Sequence, residues 1–343
     1  MSCTFPGDFW LIFQLQDTGD WIAPIMTFFT YLGYPQAFMV IVAVIYWSVD
    51  RKMGLRLAIF LPVVSSVNSI LKQAFHAPRP YWLDPGIKAI HVSNGFGMPS
   101  GHAQASIAWI YTGSFIKRGW FWVIAVVMVL LIGISRVYLG AHFPSQVVAG
   151  WLTGIMVGWI FIRFESGILS WLSGIKFKYQ LFMVTGIAAA GLLLGGLFVL
   201  LLRDWEMPAQ WIMNSLDDLA GRDESILTSI GMGGLAGNTG SFLGVALGAL
   251  FLQRNGVYEV NQVWWKRILG SITGLIVFLA LYALFMATAP DQDNSAIYSI
   301  WRFTGFFVIS FSGIYLVPLL LIRFRLLEPY SKGPESARGV TIS

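Results

Sequence analysis

The sequence predicts an all-α protein that crosses a membrane through about nine helices, and three observations support this class. Of the 343 residues, 56% are hydrophobic and only 11% are charged, whereas a soluble domain carries about 25% charged residues. The mean hydropathy is +0.68. Apolar segments recur along the chain at close to the roughly 20 residues that a helix needs to cross about 30 Å of hydrocarbon. This composition excludes an ordinary soluble globular domain.

The predicted spans differ in how clearly the sequence delimits them. They cover about 22–49, 54–72, 100–116, 120–134, 144–163, 180–202, 238–253, 267–288 and 299–322. Gly33 and Pro35 interrupt the first span, whereas Pro144 opens the fifth, because proline is favoured in a first helical turn. We expect residues 1–20 to form a loop or an interfacial segment. The stretch 73–98 is predicted to be a long loop and 135–143 a short connection.

The basic residues are distributed as in a membrane protein of defined orientation. Fifteen of the 22 Lys and Arg residues lie in alternate connections, beginning after the first span. Because cytoplasmic loops carry an excess of Lys and Arg, the N-terminus is predicted outside and the C-terminus in the cytoplasm. The net charge of +5 therefore reflects topology, and nucleic acid is not an expected partner. The single cysteine, Cys3, excludes an intramolecular disulfide.

Three short polar blocks lie at predicted span ends on the outer side. They are Lys72-Gln-Ala-Phe-His-Ala-Pro-Arg79-Pro80, then Pro99-Ser100-Gly101-His102, then Ser135-Arg136-Val-Tyr-Leu-Gly-Ala-His142. All four histidines of the chain lie between residues 76 and 142. Polar side chains concentrated in this way, in a chain that is otherwise apolar, indicate a functional site.

The three cations and the Ser-Gly turn of the blocks suit the binding of a phosphoryl group. Such a group carries dispersed negative charge in its transition state, which fixed cations such as Lys72, Arg79 and Arg136 would stabilise. Ser100 and Gly101 open the third span. A helix N-terminus offers free N–H groups and the positive end of its dipole to an oxyanion.

The two histidines of the second and third blocks suit proton transfer and nucleophilic attack. An imidazole titrates near neutrality, so His102 can protonate a leaving oxygen. His142, just before Pro144, can attack phosphorus as a nucleophile. The blocks contain no Asp or Glu, which Mg²⁺ would require as ligands, so the site is predicted to work without a metal ion.

Each block also has an ordinary structural interpretation. Lys72 alone is typical of a snorkelling residue at a span end, and Ser100 alone is typical of a helix N-cap. Tyr81 and Trp82 favour an interfacial aromatic belt over a wall of the site. The ordered set of blocks on one predicted face nevertheless favours the functional interpretation.

Two further features are interpreted as structural. His76 and His91 are predicted to be loop residues without a role in the chemistry. The segment Gly231-Met-Gly-Gly-Leu-Ala-Gly-Asn-Thr-Gly240 has small-xxx-small spacing, which favours close helix packing. We do not interpret it as a phosphate-binding loop, because no Lys-Ser/Thr pair follows it.

The blocks match a known family signature. This signature reads Lys-x6-Arg-Pro, Pro-Ser-Gly-His and Ser-Arg-x5-His-x3-Asp, and over residues 72–146 the chain resembles the type 2 phosphatidic acid phosphatase / vanadium haloperoxidase superfamily. The resemblance implies a helix-bundle phosphatase with a covalent phosphohistidine and no cofactor. It implies that His142 is the nucleophile and His102 the general acid. The residues implied to bind the phosphate are Lys72, Arg79, Ser100, Gly101 and Arg136.

One position departs from that signature, since Gln146 stands where the family has Asp. Residues 142 and 146 share a helix face, so Gln146 can accept a hydrogen bond from the His142 ring but cannot neutralise imidazolium. The run from His142 to Gly150, the nine-span layout and the Arg79-Pro80-Tyr-Trp sequence resemble the glucose-6-phosphatase branch. That branch also carries Gln at this position, and the resemblance therefore implies a catalytic role for Gln146.

These observations predict a chain in three parts. Residues 1–165 would form the phosphatase core with spans 1–5, residues 166–328 additional transmembrane helices, and residues 329–343 a cytoplasmic tail. We expect the protein to lie in the cytoplasmic membrane, with its N-terminus and active site on the extracytoplasmic side.

The predicted function is that of a metal-independent integral membrane phosphatase. It would hydrolyse phosphate monoesters or diphosphates, with lipid phosphates favoured, through a phosphohistidine. One alternative is a sugar-phosphate phosphatase like the glucose-6-phosphatase branch. Another is a non-catalytic protein that binds or transports lipid phosphates, motivated by the missing acid at 146 and by Arg203, Arg222 and Arg302 on the outer side. The expected partners are a phosphate-ester substrate and the bilayer.

Overall fold

The computed structural model describes residues 5, 7–93, 95–116, 118–219, 230–256, 258–290 and 295–329. Within these ranges the chain is almost entirely helical. The α-helices, in chain order, are α1 (Asp8–Gln16), α2 (Ala23–Leu32), α3 (Pro35–Val44), α4 (Arg51–Phe75), α5 (Pro80–Leu83), α6 (Gly101–Ile116), α7 (Gly119–Tyr138), α8 (Pro144–Gly174), α9 (Phe177–Leu201), α10 (Ala209–Leu219), α11 (Gly233–Asn255), α12 (Trp264–Ala287), α13 (Ser295–Phe311) and α14 (Val317–Arg323). Two short strands, β1 (Tyr258–Glu259) and β2 (Glu328–Pro329), pair antiparallel. The predicted all-α class is confirmed.

The membrane-crossing helices match the predicted spans closely. Seven helical stretches of the described ranges are long and apolar enough to cross a membrane, and the bent pair Asp20–Leu32 and Pro35–Val49 makes an eighth if it counts as one span. The remaining predicted span is α6, which has 16 residues, fewer than the roughly 20 that cross a full hydrocarbon core. The polytopic membrane architecture is therefore confirmed, with α6 as a short helix.

The first span is bent by 57° where α2 gives way to α3. Proline has no backbone N–H and disfavours helical backbone angles in the residue before it, so Pro35 starts a new helix. Gly33 and Tyr34 lie at this bend. The interruption expected from Gly33 and Pro35 is thus a change of helix direction.

Two boundaries differ from those predicted. For residues 1–20 the loop alternative is wrong over α1, in which Asp8, Ile12 and Gln16 are buried because their spacing of four places them on one helix face. The connection predicted at 135–143 starts later, since α7 continues to Tyr138 with Arg136 in its last turn. From residue 330 onward, the predicted tail lies outside the described residues.

Internal contacts group the chain into two compact units, of which the first comprises Met1–Phe38, Val64–Gly158 and Leu193–Leu235. Helices α6 and α8 approach closely in this unit. A Cβ on Gly150 would lie 2.5 Å from the carbonyl oxygen of Ser100, and one on Gly154 would lie 2.6 Å from that of Gln104. A buried cluster joins α1, α6, α7 and α8, and its members are Ile12, Ile87, Ala103, Val137, Phe143 and Val147.

The second unit comprises Met39–Val63, Trp159–Leu192 and Ala236–Ser343. In it α11 packs on α13, because Gly240 and Gly244 lie against backbone carbonyls of α13 and leave no room for a Cβ. The glycine-rich segment therefore serves packing at Gly240, as its spacing predicts. These units, defined by internal contacts, do not correspond to the predicted division at residue 165 between a catalytic core and additional helices. That division stays a prediction.

Candidate active site

The residues of the three blocks come together in the first unit around His142. This histidine lies in the turn between α7 and α8 and is only 2% exposed. Burial lowers the pKa of its imidazole well below the usual 6.5, and the nearby charges of Arg79, Arg136 and Lys72, in that order, lower it further, as does His102. The imidazole is therefore neutral near pH 7. The three cations of the blocks and the second histidine, His102, therefore all lie close enough to His142 to affect its pKa.

The hydrogen bonds of His142 define its tautomer. Its Nδ1 lies 2.8 Å from the Gly97 carbonyl oxygen and 3.2 Å from Oε1 of Gln146. Both neighbours are acceptors, so Nδ1 carries the proton and donates it. Its Nε2 lies 3.2 Å from Nη1 of Arg79, which can only donate. The lone pair on Nε2 thus faces a cation, which is the orientation that a nucleophile for an anionic phosphoryl group requires.

Gln146 is fixed by three contacts at once. Its Oε1 also accepts from the backbone N–H of Phe143 at 3.2 Å, and its Nε2 donates to the Pro78 carbonyl at 2.7 Å. A Cβ on Gly97 would lie 2.6 Å from that Nε2. The amide therefore bridges His142 and Pro78 of the first block. A carboxylate at this position could not donate to Pro78.

Arg79 is buried and its guanidinium is held mostly by backbone carbonyls. Its Nε donates to Gly95 at 2.7 Å, and its Nη1 donates to Ala141 at 2.9 Å. Neutral carbonyls orient the fork without cancelling its charge. The positive charge thus stays available to an anion beside His142.

Arg136 is held by hydroxyl groups in a fully buried position. Its Nη1 donates to Oγ1 of Thr30 at 2.8 Å, and its Nη2 donates to Oγ of Ser93 at 2.7 Å. Within the described ranges, no carboxylate lies at ion-pair distance from it and its Nε has no hydrogen-bond partner. A buried cation without a counter-charge is costly, and an anionic ligand would compensate that charge.

The second block forms the beginning of α6. Ser100 is fully buried, and its backbone N–H donates to the Gln146 carbonyl at 2.9 Å, which connects this helix to the start of α8. The next residue, Gly101, faces Asn68 of α4, since a Cβ there would lie 3.0 Å from Oδ1 of Asn68. Asn68 lies one turn before the half-buried Lys72, on the same face. The N-terminus of α6 and Lys72 are thereby brought to the same region.

His102 lies in the first turn of α6, against the bend between α2 and α3. The Tyr34 ring meets it edge to face with centroids 4.8 Å apart, and a Cβ on Gly33 would lie 2.9 Å from its Cδ2. Its Nε2 is buried without a hydrogen-bond partner among the described residues. The Tyr34 hydroxyl is hydrogen-bonded to Nε2 of His91.

Tyr81 and Trp82 correct one prediction, because the interfacial belt assigned to them is wrong. Both are completely buried in a cluster with Phe96. Pro80 opens the short helix α5, which turns them inward. The Tyr81 hydroxyl donates to the Ser93 carbonyl at 3.2 Å, and Asn214 of α10 donates to the Trp82 carbonyl at 2.9 Å. They form the core that supports the first block.

Several groups at this site were not predicted. They are Thr30, Ser93, Gly97, Tyr34 and His91, which come from the first span and from the loop between the first two blocks. No motif marks Thr30, Tyr34, Ser93 or Gly97, whereas His91 is one of the four clustered histidines and was predicted to have no role in the chemistry. In the described part of the chain, no three His, Cys, Asp or Glu side chains come together as metal ligands would. Metal independence stays a prediction.

Comparison with known proteins agrees with the geometry. A model of the PAP2 superfamily matches residues 51–168, and a model of the transmembrane extension of PAP2 superfamily phosphatases matches residues 236–331. The chain is 27% identical over 313 residues to glucose-6-phosphatase catalytic subunit 1 of Rattus norvegicus. The match covers 81% of this chain and 84% of that protein. It is 28% identical over 117 residues to an undecaprenyl-diphosphatase of Sulfolobus acidocaldarius, and this match covers 34% of the chain and 57% of the relative.

Among solved structures, a transmembrane PAP2-type phosphatidylglycerolphosphate phosphatase from Bacillus subtilis aligns with a TM-score of 0.41 and 23% identity. That alignment covers 47% of this chain and 86% of the other. The first family match, over residues 51–168, contains all three blocks, and the second is described as a transmembrane extension of the same superfamily. The chain belongs to the PAP2 superfamily and is a membrane-embedded phosphoric ester hydrolase.

Proposed function

We propose that this protein hydrolyses phosphate monoesters or diphosphates without a metal ion, through a phosphohistidine on His142. The observation that carries the proposal is the state of the His142 ring. Its Nδ1–H is held by Gly97 and Gln146, and its Nε2 lone pair faces Arg79 at 3.2 Å. A neutral, oriented imidazole beside a buried cation is prepared to attack an anionic phosphoryl group.

In the first step Nε2 of His142 attacks phosphorus while the bond from phosphorus to the leaving oxygen breaks. His102, protonated once the anionic phosphoryl group is bound beside it, gives its proton to that oxygen, so the leaving group departs as an alcohol or, from a diphosphate, as a phosphate. The phosphoryl oxygens would bind Arg79, Arg136, Lys72 and the N-terminus of α6 at Ser100 and Gly101.

In the second step His102, now neutral, takes a proton from water as the water attacks the phosphohistidine. The bond from Nε2 to phosphorus breaks, inorganic phosphate leaves, and both histidines return to their starting states. Through both steps the Nδ1–H of His142 stays donated to Gly97 and Gln146. These acceptor dipoles stabilise the positive ring that exists between the steps.

Lipid phosphates are the favoured substrate class because of where the site lies. Its residues occupy helix ends of a membrane protein, so a lipid phosphate could present its head group while its chain stays in the bilayer. Sugar phosphates are the second candidate, supported by Gln146 and by the match to glucose-6-phosphatase catalytic subunit 1 along 81% of the chain.

The proposal includes an orientation and an organisation of the chain. The N-terminus and the site would face the extracytoplasmic side of the cytoplasmic membrane, as the distribution of Lys and Arg suggests. Residues 1–165 would carry the catalytic core, and residues 166–328 would add transmembrane helices to it.

The test is release of inorganic phosphate by the purified protein in EDTA, from phosphatidic acid, a polyprenyl diphosphate and glucose 6-phosphate. We expect release that persists in EDTA and is lost in His142→Ala. A matched histidine variant, His76→Phe, should keep the activity, because His76 packs against Phe96 and Trp205 in the aromatic core. Undiminished release by His142→Ala would contradict the proposal, and the preferred ester identifies the substrate class.

A further inference from the structure

We propose that Tyr34 and His91 are positioning residues that hold His102 in the orientation for proton transfer to the leaving oxygen. The inference rests on the proposed function, in which His102 is the acid. It extends that function to two residues outside the three blocks, one at the bend of the first span and one in the loop that follows α5.

The contacts around His102 are directional. The Tyr34 ring meets the imidazole edge to face, at an interplanar angle of 89° and a centroid distance of 4.8 Å. Ring pairs favour this edge-to-face geometry, so the contact restrains the imidazole in one orientation. On the same region of the imidazole, Gly33 lies so close that a Cβ would be 2.9 Å from Cδ2 of His102. The bend between α2 and α3 thus fixes the plane of the imidazole.

His91 in turn fixes Tyr34. Its Nε2 is hydrogen-bonded to the Tyr34 hydroxyl, and its ring lies edge to face with that of Tyr34, with centroids 5.8 Å apart. The backbone N–H of His91 donates to the Leu139 carbonyl at 3.3 Å, and Leu139 follows α7 three residues before His142. The series His91, Tyr34, His102 therefore links the nucleophile's turn to the acid.

The Nε2 atom of the His102 imidazole is available to a substrate. Its Nε2 is buried and has no hydrogen-bond partner within the described ranges. This nitrogen is the one that would carry the proton to the substrate. If Tyr34 and His91 did not hold the ring, rotation about the side-chain torsions would turn Nε2 away from the leaving oxygen.

A positioning role for a general acid has a characteristic kinetic signature. Protonation matters for a basic leaving group such as an alkyl alcohol and hardly matters for p-nitrophenolate, which leaves unprotonated. The ratio kcat/KM reports the steps up to departure of the leaving group and excludes hydrolysis of the phosphohistidine. Loss of orientation should therefore lower kcat/KM for alkyl phosphates selectively.

The experiment measures kcat/KM for an alkyl phosphate and for p-nitrophenyl phosphate in Tyr34→Phe, His91→Ala and His91→Gln. We expect Tyr34→Phe and His91→Ala to lose about 10- to 100-fold on the alkyl ester, part of the 10²–10⁴ that a general acid contributes, and less than about 2-fold on the aryl ester. His91→Gln keeps a hydrogen-bonding group and should recover most of the loss. Tyr179→Phe, at an exposed position, is the matched control.

The comparison of two substrates in one preparation is independent of how much protein is folded. Equal losses on both esters would mean a structural role and would overturn the inference. A loss confined to sugar phosphates, with simple alkyl phosphates unaffected, would mean that the pair binds the substrate's alcohol part and would also overturn it. Failure of the proposed function is recognised separately, by phosphate release that survives His142→Ala.

Discussion

At the scale of single residues, His142, the proposed nucleophile, is oriented by neutral acceptors. The Nδ1 of His142 lies closer to the Gly97 carbonyl, at 2.8 Å, than to Gln146, at 3.2 Å. In a hydrolase triad the corresponding acid both fixes the tautomer and stabilises the imidazolium. Here the tautomer is fixed by two dipoles, and burial, together with the nearby positive charges, lowers the pKa of the free ring. With a neutral amide at Gln146 the orientation of the ring is kept, and no negative charge at this position raises the pKa of His142.

The pH dependence of Gln146→Asp tests this interpretation. A carboxylate beside Nδ1 should raise the pKa of His142, and protonation inactivates the nucleophile as pH falls through that pKa. The acid limb of kcat/KM should therefore move to higher pH than in the wild type. Both proteins are measured on the same ester, so the ionisation of the substrate is common to both profiles. Gln146→Asn keeps a neutral amide and should leave the limb where it is; a shift of equal size in Gln146→Asn would contradict the explanation.

A second prediction concerns the hydroxyl that holds Arg136. Thr30→Val keeps the shape of the side chain but removes the acceptor 2.8 Å from Nη1, and an unpaired buried donor costs about 1–3 kcal/mol. We expect kcat/KM to fall by about 10- to 100-fold. Thr30→Ser retains the hydroxyl and should stay near wild-type activity. Steady-state kinetics on one ester are sufficient, and equal activity of the Val and Ser variants would show that Thr30 does not orient Arg136.

At this scale the sequence predicts the charged and nucleophilic groups better than the groups that hold them. Lys72, Arg79 and Arg136 stand out because cations are rare in an apolar chain. Thr30 and Ser93 do not stand out, since hydroxyl residues are common and these two come from distant segments. Tyr81 and Trp82 are misassigned for a related reason: aromatic residues favour both membrane interfaces and buried cores, and only the tertiary structure distinguishes the two.

At the scale of elements, α8 connects the parts of the site. It begins two residues after His142, and its first turn contains Gln146. The buried carboxylate of Asp8 accepts hydrogen bonds from the backbone N–H and the hydroxyl of Ser145, at 3.0 and 2.7 Å, where negative charge favours a helix N-terminus. One turn further, Gly150 lies against Ser100. A single helix therefore positions both His142 and the beginning of α6.

Gly150→Ala should disturb both of these functions. A Cβ at this position would lie 2.5 Å from the Ser100 carbonyl oxygen, so α6 and α8 must separate. We expect a lower thermal unfolding temperature in detergent and a loss of kcat/KM of about 10-fold or more, because a small misplacement of catalytic groups is costly.

The control lies on the same helix. Gly167 has nothing within 4 Å of its Cβ position, so Gly167→Ala should be neutral or slightly stabilising, as alanine favours helix. If Gly150→Ala were as well tolerated as Gly167→Ala, α8 would not hold α6 through this contact.

The existence of the elements was predictable, and their ends were less so. Hydropathy identifies each long helix, because a run of about 20 apolar residues is typical of a membrane-spanning helix. It does not predict that α7 continues to Tyr138, since polar Ser135 and Arg136 interrupt the apolar run, although both are buried. Nor does it predict α1, whose buried Asp8 and Gln16 make sense only through their partners Ser145, Lys88 and Tyr138.

At the scale of the whole molecule, the distribution of Lys and Arg predicts that the site faces away from the cytoplasm. Single cysteines introduced in a Cys3→Ser background test this with a membrane-impermeant maleimide on intact cells. Asp84→Cys, after α5 on the predicted outer side, should be labelled directly. Lys176→Cys, between α8 and α9, should be labelled only after permeabilisation. The reverse pattern would invert the proposed orientation.

The central claim is that His142 carries the phosphoryl group during turnover, and one measurement tests it most directly. Purified protein is mixed in EDTA with ³²P-labelled p-nitrophenyl phosphate, quenched with base, and mapped by mass spectrometry. The account predicts a base-stable, acid-labile label on His142 that is absent from His142→Ala. It also predicts accumulation in His102→Ala, where the second step lacks its base. Phosphate release without any labelled protein, or with the label on another residue, would contradict the account.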